Sequence, residues 1–246
     1  MTGEAPRWLA LGEDALPDGS GWLSSAEAER AAGRRHRKRH TEYLLRRLVA
    51  KRAVAAVLGR PVTPVALAGV EVANAPGGAP EVFVDGTPAG LDVSISDRAG
   101  WAVCVVGRGV GCDLELVEPR SPGFVRDFLT GSEQRLVAEW PPDDEGAPAT
   151  LIWSAKESAL KALRTGLDRD TRQVEVSPGA AASGGWAPLT VRVAEGCPLT
   201  GWWRRYGRFV LTMAGRTASL PPVALGDPAG LAAASPRHSW LDRPLR

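Results

Sequence analysis

The chain has 246 residues, 44% of them apolar and 24% charged, the profile of an ordinary globular protein long enough for one large domain or two small ones. Its formal net charge of +2 is too small to demand nucleic acid or an anionic membrane as a partner, and no apolar run approaches the roughly 18 residues of a membrane span. The start, Met1-Thr2-Gly3-Glu4-Ala5-Pro6-Arg7, lacks a signal-peptide pattern, and Cys104, Cys112 and Cys197 have no metal-ligand spacing, so reduced thiols in a cytoplasmic protein are expected.

In chain order, residues 7 to 12 read as a short strand, and Ser24-Ser25-Ala26-Glu27 as a capping-box start for a helix to about Ala32. From Arg34 to Leu58 the spacing of Leu44, Leu48, Ala55 and Leu58, widened by Leu45, Val49 and Ala56, predicts a long helix closed by Gly59 and Pro61. Its other face carries Arg34, Arg35, Arg37, Lys38, Arg39, Arg46, Arg47, Lys51 and Arg52. Such a run is by default a solvated face; nucleic-acid binding is disfavoured by the lack of interleaved aromatics, and gripping a smaller phosphorylated ligand is the third reading. Short β-like runs follow at 70–72, 81–84, 91–96 and 101–106, then a strand holding Asp113. From Phe124 the chain turns helical, with Ser132 as the cap of a second helix through Glu139, a surface loop at 141–146, and a helix over 150–164. Strands are expected near 173–176, 189–193, 201–205 and 209–213. Residues 217–246, rich in Ala, Pro and Leu without a period, read as a loosely packed tail with Trp240 as a docking contact.

The chemistry concentrates in two stretches, Gly111-Cys112-Asp113-Leu114-Glu115 and Trp153-Ser154-Ala155-Lys156-Glu157-Ser158-Ala159-Leu160-Lys161. In a strand, Asp113 and Glu115 share one face, and Cys112 points the other way as a small buried hydrophobe. In a helix, Trp153, Glu157, Lys161 and Arg164 form one stripe, with Trp153 as packing that positions Glu157. Neighbouring carboxylates must protonate or hold a cation, and a hard, oxygen-liganded ion such as Mg2+ suits them. The lysine beside them suggests phosphate as the ion's other partner.

These stretches, with Ser94-Ile95-Ser96-Asp97-Arg98-Ala99-Gly100-Trp101 before them, resemble the 4'-phosphopantetheinyl transferases of the large, surfactin-synthetase-activating type. That family's hallmark is G-(I/V)-D-(I/L/V)-E followed by W-(S/T/A)-x-K-E-(A/S)-x-x-K. The second part is matched at every fixed position, the first at its glycine and both acids, and the resemblance spans roughly residues 8 to 215. It implies an α+β fold of two pseudo-symmetric halves, each a helix on a small antiparallel sheet, over residues 1–109 and 110–216, with 217–246 as the tail. It implies transfer of the phosphopantetheine arm of coenzyme A to a serine of an apo acyl or peptidyl carrier protein, by a monomer that binds neither nucleic acid nor membrane. Asp113, Glu115 and Glu157 would hold Mg2+, with Mn2+ as a substitute; Glu157 and Lys161 would be catalytic. Arg47, Lys51, Ser96, Arg98, Lys156 and Lys161 would bind the coenzyme, although Lys156 equally suits a structural salt bridge. Two departures bear on coenzyme binding. Asp97 stands where the family has a histidine, with Arg98 either supplying the cation or forming an Asp-Arg turn, and Ala79 in Gly78-Ala79-Pro80 replaces a basic residue. A Mg2+-dependent phosphodiester hydrolase and a basic nucleic-acid-binding module are the competing readings.

Overall fold

A computed structural model describes residues 4–141, 146–165, 169–180, 185–216, 218 and 220–237. The four-residue stretch 142–145 of the expected loop and the expected docking residue Trp240 lie outside them. The chain is a mixed α+β structure whose two long helices clasp two sheets. The first helix-forming signal is the one read from sequence: Ser24 Oγ accepts the amide of Glu27 while Glu27 accepts that of Ser24, and α1 (Ser25–Ala32) begins there. The second helix, α2 (Arg37–Val57), ends because Gly59 takes φ +66, a conformation that costs glycine little. The amides of Gly59 and Arg60 then close on the carbonyls of Ala56 and Ala55, capping the last turn. Ala56 and Leu58, both expected in the apolar stripe, are exposed at that end of the helix. A short α3 (Pro64–Ala68), capped by Thr63, was not foreseen.

Strand β1 (Arg7–Gly12) pairs antiparallel with β6 (Trp101–Val106), and β6 with β5 (Val93–Arg98). The sheet gains a fourth strand from the tail: β12 (Val223–Ala224) lies parallel to β1. The tail is therefore docked over its described part. Leu231 of α7 (Ala229–Ala232) is buried, and Arg237 pairs with Glu13 and Asp14. A separate small sheet holds β2 (Val70–Asn74), β3 (Pro80–Val84) and β4 (Thr87–Pro88). The remaining five-stranded sheet is antiparallel throughout, in the order β7 (Val110–Leu116), β11 (Phe209–Gly215), β10 (Leu199–Tyr206), β9 (Ala187–Val193) and β8 (Val174–Pro178). Between β7 and β8 in sequence come α4 (Pro122–Phe128), α5 (Gly131–Glu139) and α6 (Ala147–Leu163). The cap of α5 is Thr130 with Glu133, not Ser132.

Alternation along the strands sorts the core into layers. In β6, Ala102, Cys104 and Val106 pack on α2 with Leu45, Val49 and Ala53, whereas Val103 and Val105 face the other sheet. There they meet Cys112, Leu114 and Leu116 of β7 and Phe209, Leu211 and Met213 of β11. On the far side, Ile152, Ala155 and Ala159 of α6 close the last layer over Val176, Leu189 and Val191. The order is helix, sheet, sheet, helix. No helix among the described residues is long and apolar enough to cross a membrane.

One polar device occurs twice. Glu27 accepts the amides of Ser24 and Val72 and forms an ion pair with Lys51, whose ammonium also donates to the carbonyls of Trp22 and Leu67. Glu133 accepts the amides of Thr130 and Val176 and pairs with Lys156, which donates to the carbonyls of Thr171 and Val174. All four side chains are buried, so each charge depends on its partner for solvation. Removing one partner strands the other; Lys156→Ala is expected to cost about 3–5 kcal/mol in urea unfolding.

Burial also pushes the Cys112 thiol from an ordinary 9.0 up to about 11, and that of Cys104 well above its ordinary value. The folded protein therefore keeps protons that the unfolded chain releases, so the stability the Cys112 thiol contributes is whole below pH 9 and is lost as the pH rises through 11, and Cys104 acts in the same direction. Unfolding free energy should fall across that window, and a Cys104→Ala/Cys112→Ala variant should show a shallower fall.

Candidate active site

The carboxylates stand where the sheets meet. Edge strands β5 and β7 are joined by side chains: Ser94 Oγ accepts the amide of Cys112, the Cys112 thiol donates to the Ser94 carbonyl, and Ser96 Oγ donates to Asp113 Oδ1 at 2.8 Å. With the even-numbered residues of β7 in the core, Gly111, Asp113 and Glu115 face α6. Gly111 is required there, because a Cβ would collide with the Ser158 carbonyl and the Ala162 amide. That close approach lets Lys161 Nζ reach the Cys112 carbonyl at 3.1 Å and Asp113 Oδ1 at 2.8 Å. Burial alone would lower the Lys161 pKa, but Asp113 and its other acidic neighbours outweigh it, and the ammonium is held above its ordinary value.

Among the described residues, two buried oxygens in this centre, Asp113 Oδ2 and Glu157 Oε1, have no hydrogen-bond partner. Burial first, then the charge of Asp113, raises the Glu157 pKa against the pull of Lys161. Glu115 is differently placed. Its Oε2 pairs with Arg98 at 3.3 Å and Arg120 at 3.1 Å, and its Oε1 accepts the indole N–H of Trp153 at 3.1 Å. Burial and Asp113 still raise its pKa. Among the described residues, no group of three or more His, Cys, Asp or Glu stands ready to hold a metal ion. Orphaned oxygens on two mutually repelling carboxylates nevertheless fit a divalent cation. Asp113 and Glu157 supply that pair, and Glu115 is occupied by its two arginines and the indole.

Beside this centre lies a cavity of about 640 Å³. Its basic lining comes from Arg30, Arg34, Arg46, Arg47, Lys161 and Arg164. Arg47 is nearly buried and donates to Asn74 Oδ1 at 2.8 Å; its Nε stands 4.0 Å from Glu27 Oε1 and has no hydrogen-bond partner among the described residues. Its guanidinium and that of Arg34 both lie over the ring of Tyr43, at 4.8 and 4.5 Å from the centroid. Arg164, the left-handed cap of α6, pairs with Asp92 across the cavity rim at 2.8 Å. Ala79 lines the cavity and offers it no charge.

Of the residues expected at a coenzyme site, Arg47 and Lys161 line this cavity, and four do not. Lys51 is fully buried on Glu27, and Lys156 on Glu133, so both serve the fold. Ser96 is spent on Asp113, and Arg98 on Glu115 and Glu118. Arg46, Arg30, Asn74 and Ser94 take their places on the lining. Trp153 braces Glu115 instead of Glu157, wedged edge-on against Phe124 and Phe128.

Residues 109–187 match the family model of the 4'-phosphopantetheinyl transferase superfamily. No curated protein matches the chain. The matched segment begins at β7 and takes in α4, α5, α6 and β8, so it contains every carboxylate of the centre and Lys161. Residues 109–187 thus form a 4'-phosphopantetheinyl transferase superfamily domain, which supports a transferase of phosphopantetheine.

Proposed function

We propose that this protein moves the 4'-phosphopantetheine arm of coenzyme A to a serine of an apo acyl or peptidyl carrier protein, releasing adenosine 3',5'-bisphosphate. The single observation that carries this reading is Lys161: it lines the basic cavity and at the same time pairs with Asp113, so one ammonium joins an anion-binding space to a carboxylate centre. The arginines of the cavity suit a polyphosphorylated nucleotide. In the reaction a bond forms between the serine oxygen and the phosphorus bearing the pantetheine arm, and the bond from that phosphorus to the bridging oxygen breaks. Glu157, whose pKa burial raises, accepts the serine proton. Lys161 balances the charge that grows on the departing phosphate. Asp113 and Glu157 would hold Mg2+, which when bound neutralises phosphate charge.

The repeated Glu–Lys device supports a plan of two related halves meeting at the cavity, as in transferases of the large type, and a single chain then suffices for one site. A cytoplasmic location accords with free thiols at Cys104, Cys112 and Cys197.

The test is the intact mass of an apo carrier protein after incubation with this protein, coenzyme A and Mg2+. It should rise by one phosphopantetheine arm, and Glu157→Ala should slow the transfer by roughly 10²–10⁴-fold. Consumption of coenzyme A without modification of any carrier would instead indicate a hydrolase.

A further inference from the structure

Asp97 places a negative charge next to a cavity otherwise suited to an anion. Its carboxylate is largely enclosed and does not itself line the cavity. In front of it stands Arg46, which does: Arg46 Nη1 donates to Asp97 Oδ1 at 2.9 Å. The two residues come from different elements, α2 and β5, so the pair ties the cavity's helical wall to its sheet wall. Glu42 on α2 and Lys161 on α6 also act on Asp97, but Arg46 is its hydrogen-bonded partner among the described residues. A second acid–arginine pair, Asp92 with Arg164 at 2.8 Å, belongs to the cavity lining itself. Asp97 is thus set behind its arginine, whereas Asp92 is a lining residue whose charge Arg164 offsets.

A guanidinium has five N–H donors in a rigid fork, so one bond to Asp97 leaves donors for a second partner. An arginine as exposed as this one, with 38% of its side chain accessible, would otherwise sample many rotamers. Fixing it before the ligand arrives removes an ordering cost worth about three- to tenfold in affinity. Repulsion from Asp97 works in the opposite direction, but it acts from behind the cation that meets the ligand first.

We infer that Arg46 binds a phosphate of coenzyme A and that Asp97 is its positioning residue, a carboxylate that strengthens anion binding by holding the arginine in place. This rests on the reading of the cavity as a coenzyme A site, and it gives the acid at position 97 a function.

Isothermal titration of the full-length protein with coenzyme A tests both levels. Asp97→Asn and Arg46→Met should each weaken binding about tenfold, Asp97→Glu should restore most of the loss, and Asp97→Asn should add nothing in the Arg46→Met background. Cancellation in the double variant is not expected of a residue that merely supports the fold. Thermal unfolding of each variant identifies any that is misfolded, and Asp97→Ser then takes the place of Asp97→Asn. Tighter binding by Asp97→Asn, or losses that add in the double variant, would overturn the inference while leaving the coenzyme site standing. No binding of coenzyme A by the unmodified protein would overturn both.

Discussion

The site depends on how closely α6 can lie on β7. Helices and sheets ordinarily stand apart by the thickness of their side chains, and Gly111 removes that thickness at one point. Around it the contact is made by small polar groups: Ser154 Oγ donates to the Asp113 carbonyl, Ser158 Oγ donates to the Thr212 carbonyl, and both hydroxyls meet Thr212 Oγ1. These bonds satisfy groups that would be costly to bury alone. They also fix the helix in translation and rotation, because each hydroxyl has a single short reach. Lys161 and Glu157 inherit their positions from that fit.

The second constraint is electrostatic. A carboxylate centre at the seam of the sheets lies beside an arginine-lined cavity, with Lys161 belonging to both. A seam is a good place for such a centre. Edge strands β5 and β7 are joined through Ser94, Ser96 and Cys112, so polar side chains are already required there, and a carboxylate finds donors without breaking a ladder.

Much of this was legible in the sequence where a short-range rule sufficed. The capping box at Ser24, the alternation of Cys112 against Asp113 and Glu115, and the stripe holding Glu157 and Lys161 are all local patterns, and each appears in the structure. The failures are long-range. Lys51 was read as a coenzyme-binding cation, and Lys156 as either such a cation or half of a structural salt bridge, because charge usually marks a surface. Their spacing argued otherwise: Lys51 fills the gap between Leu48 and Ala55 in the apolar stripe of α2, and Lys156 follows Ile152 by one turn. Two capping glutamates, distant in sequence, make those buried positions tenable, and no local rule announces that pairing. Arg46 was overlooked for a similar reason, since only the folded sheet brings Asp97 to it.

The tail strand β12 carries a different lesson. Its amides at Val223 and Leu225 donate to the carbonyls of Pro6 and Trp8, so the first strand of the chain finds its outer neighbour in one of the last. During synthesis the edge of β1 stays open until more than two hundred residues have emerged, and it presents unpaired backbone groups meanwhile. Closure of that edge is therefore a late event in assembly, and a chain shortened before Val223 would keep a sheet edge competent to recruit strands from other molecules.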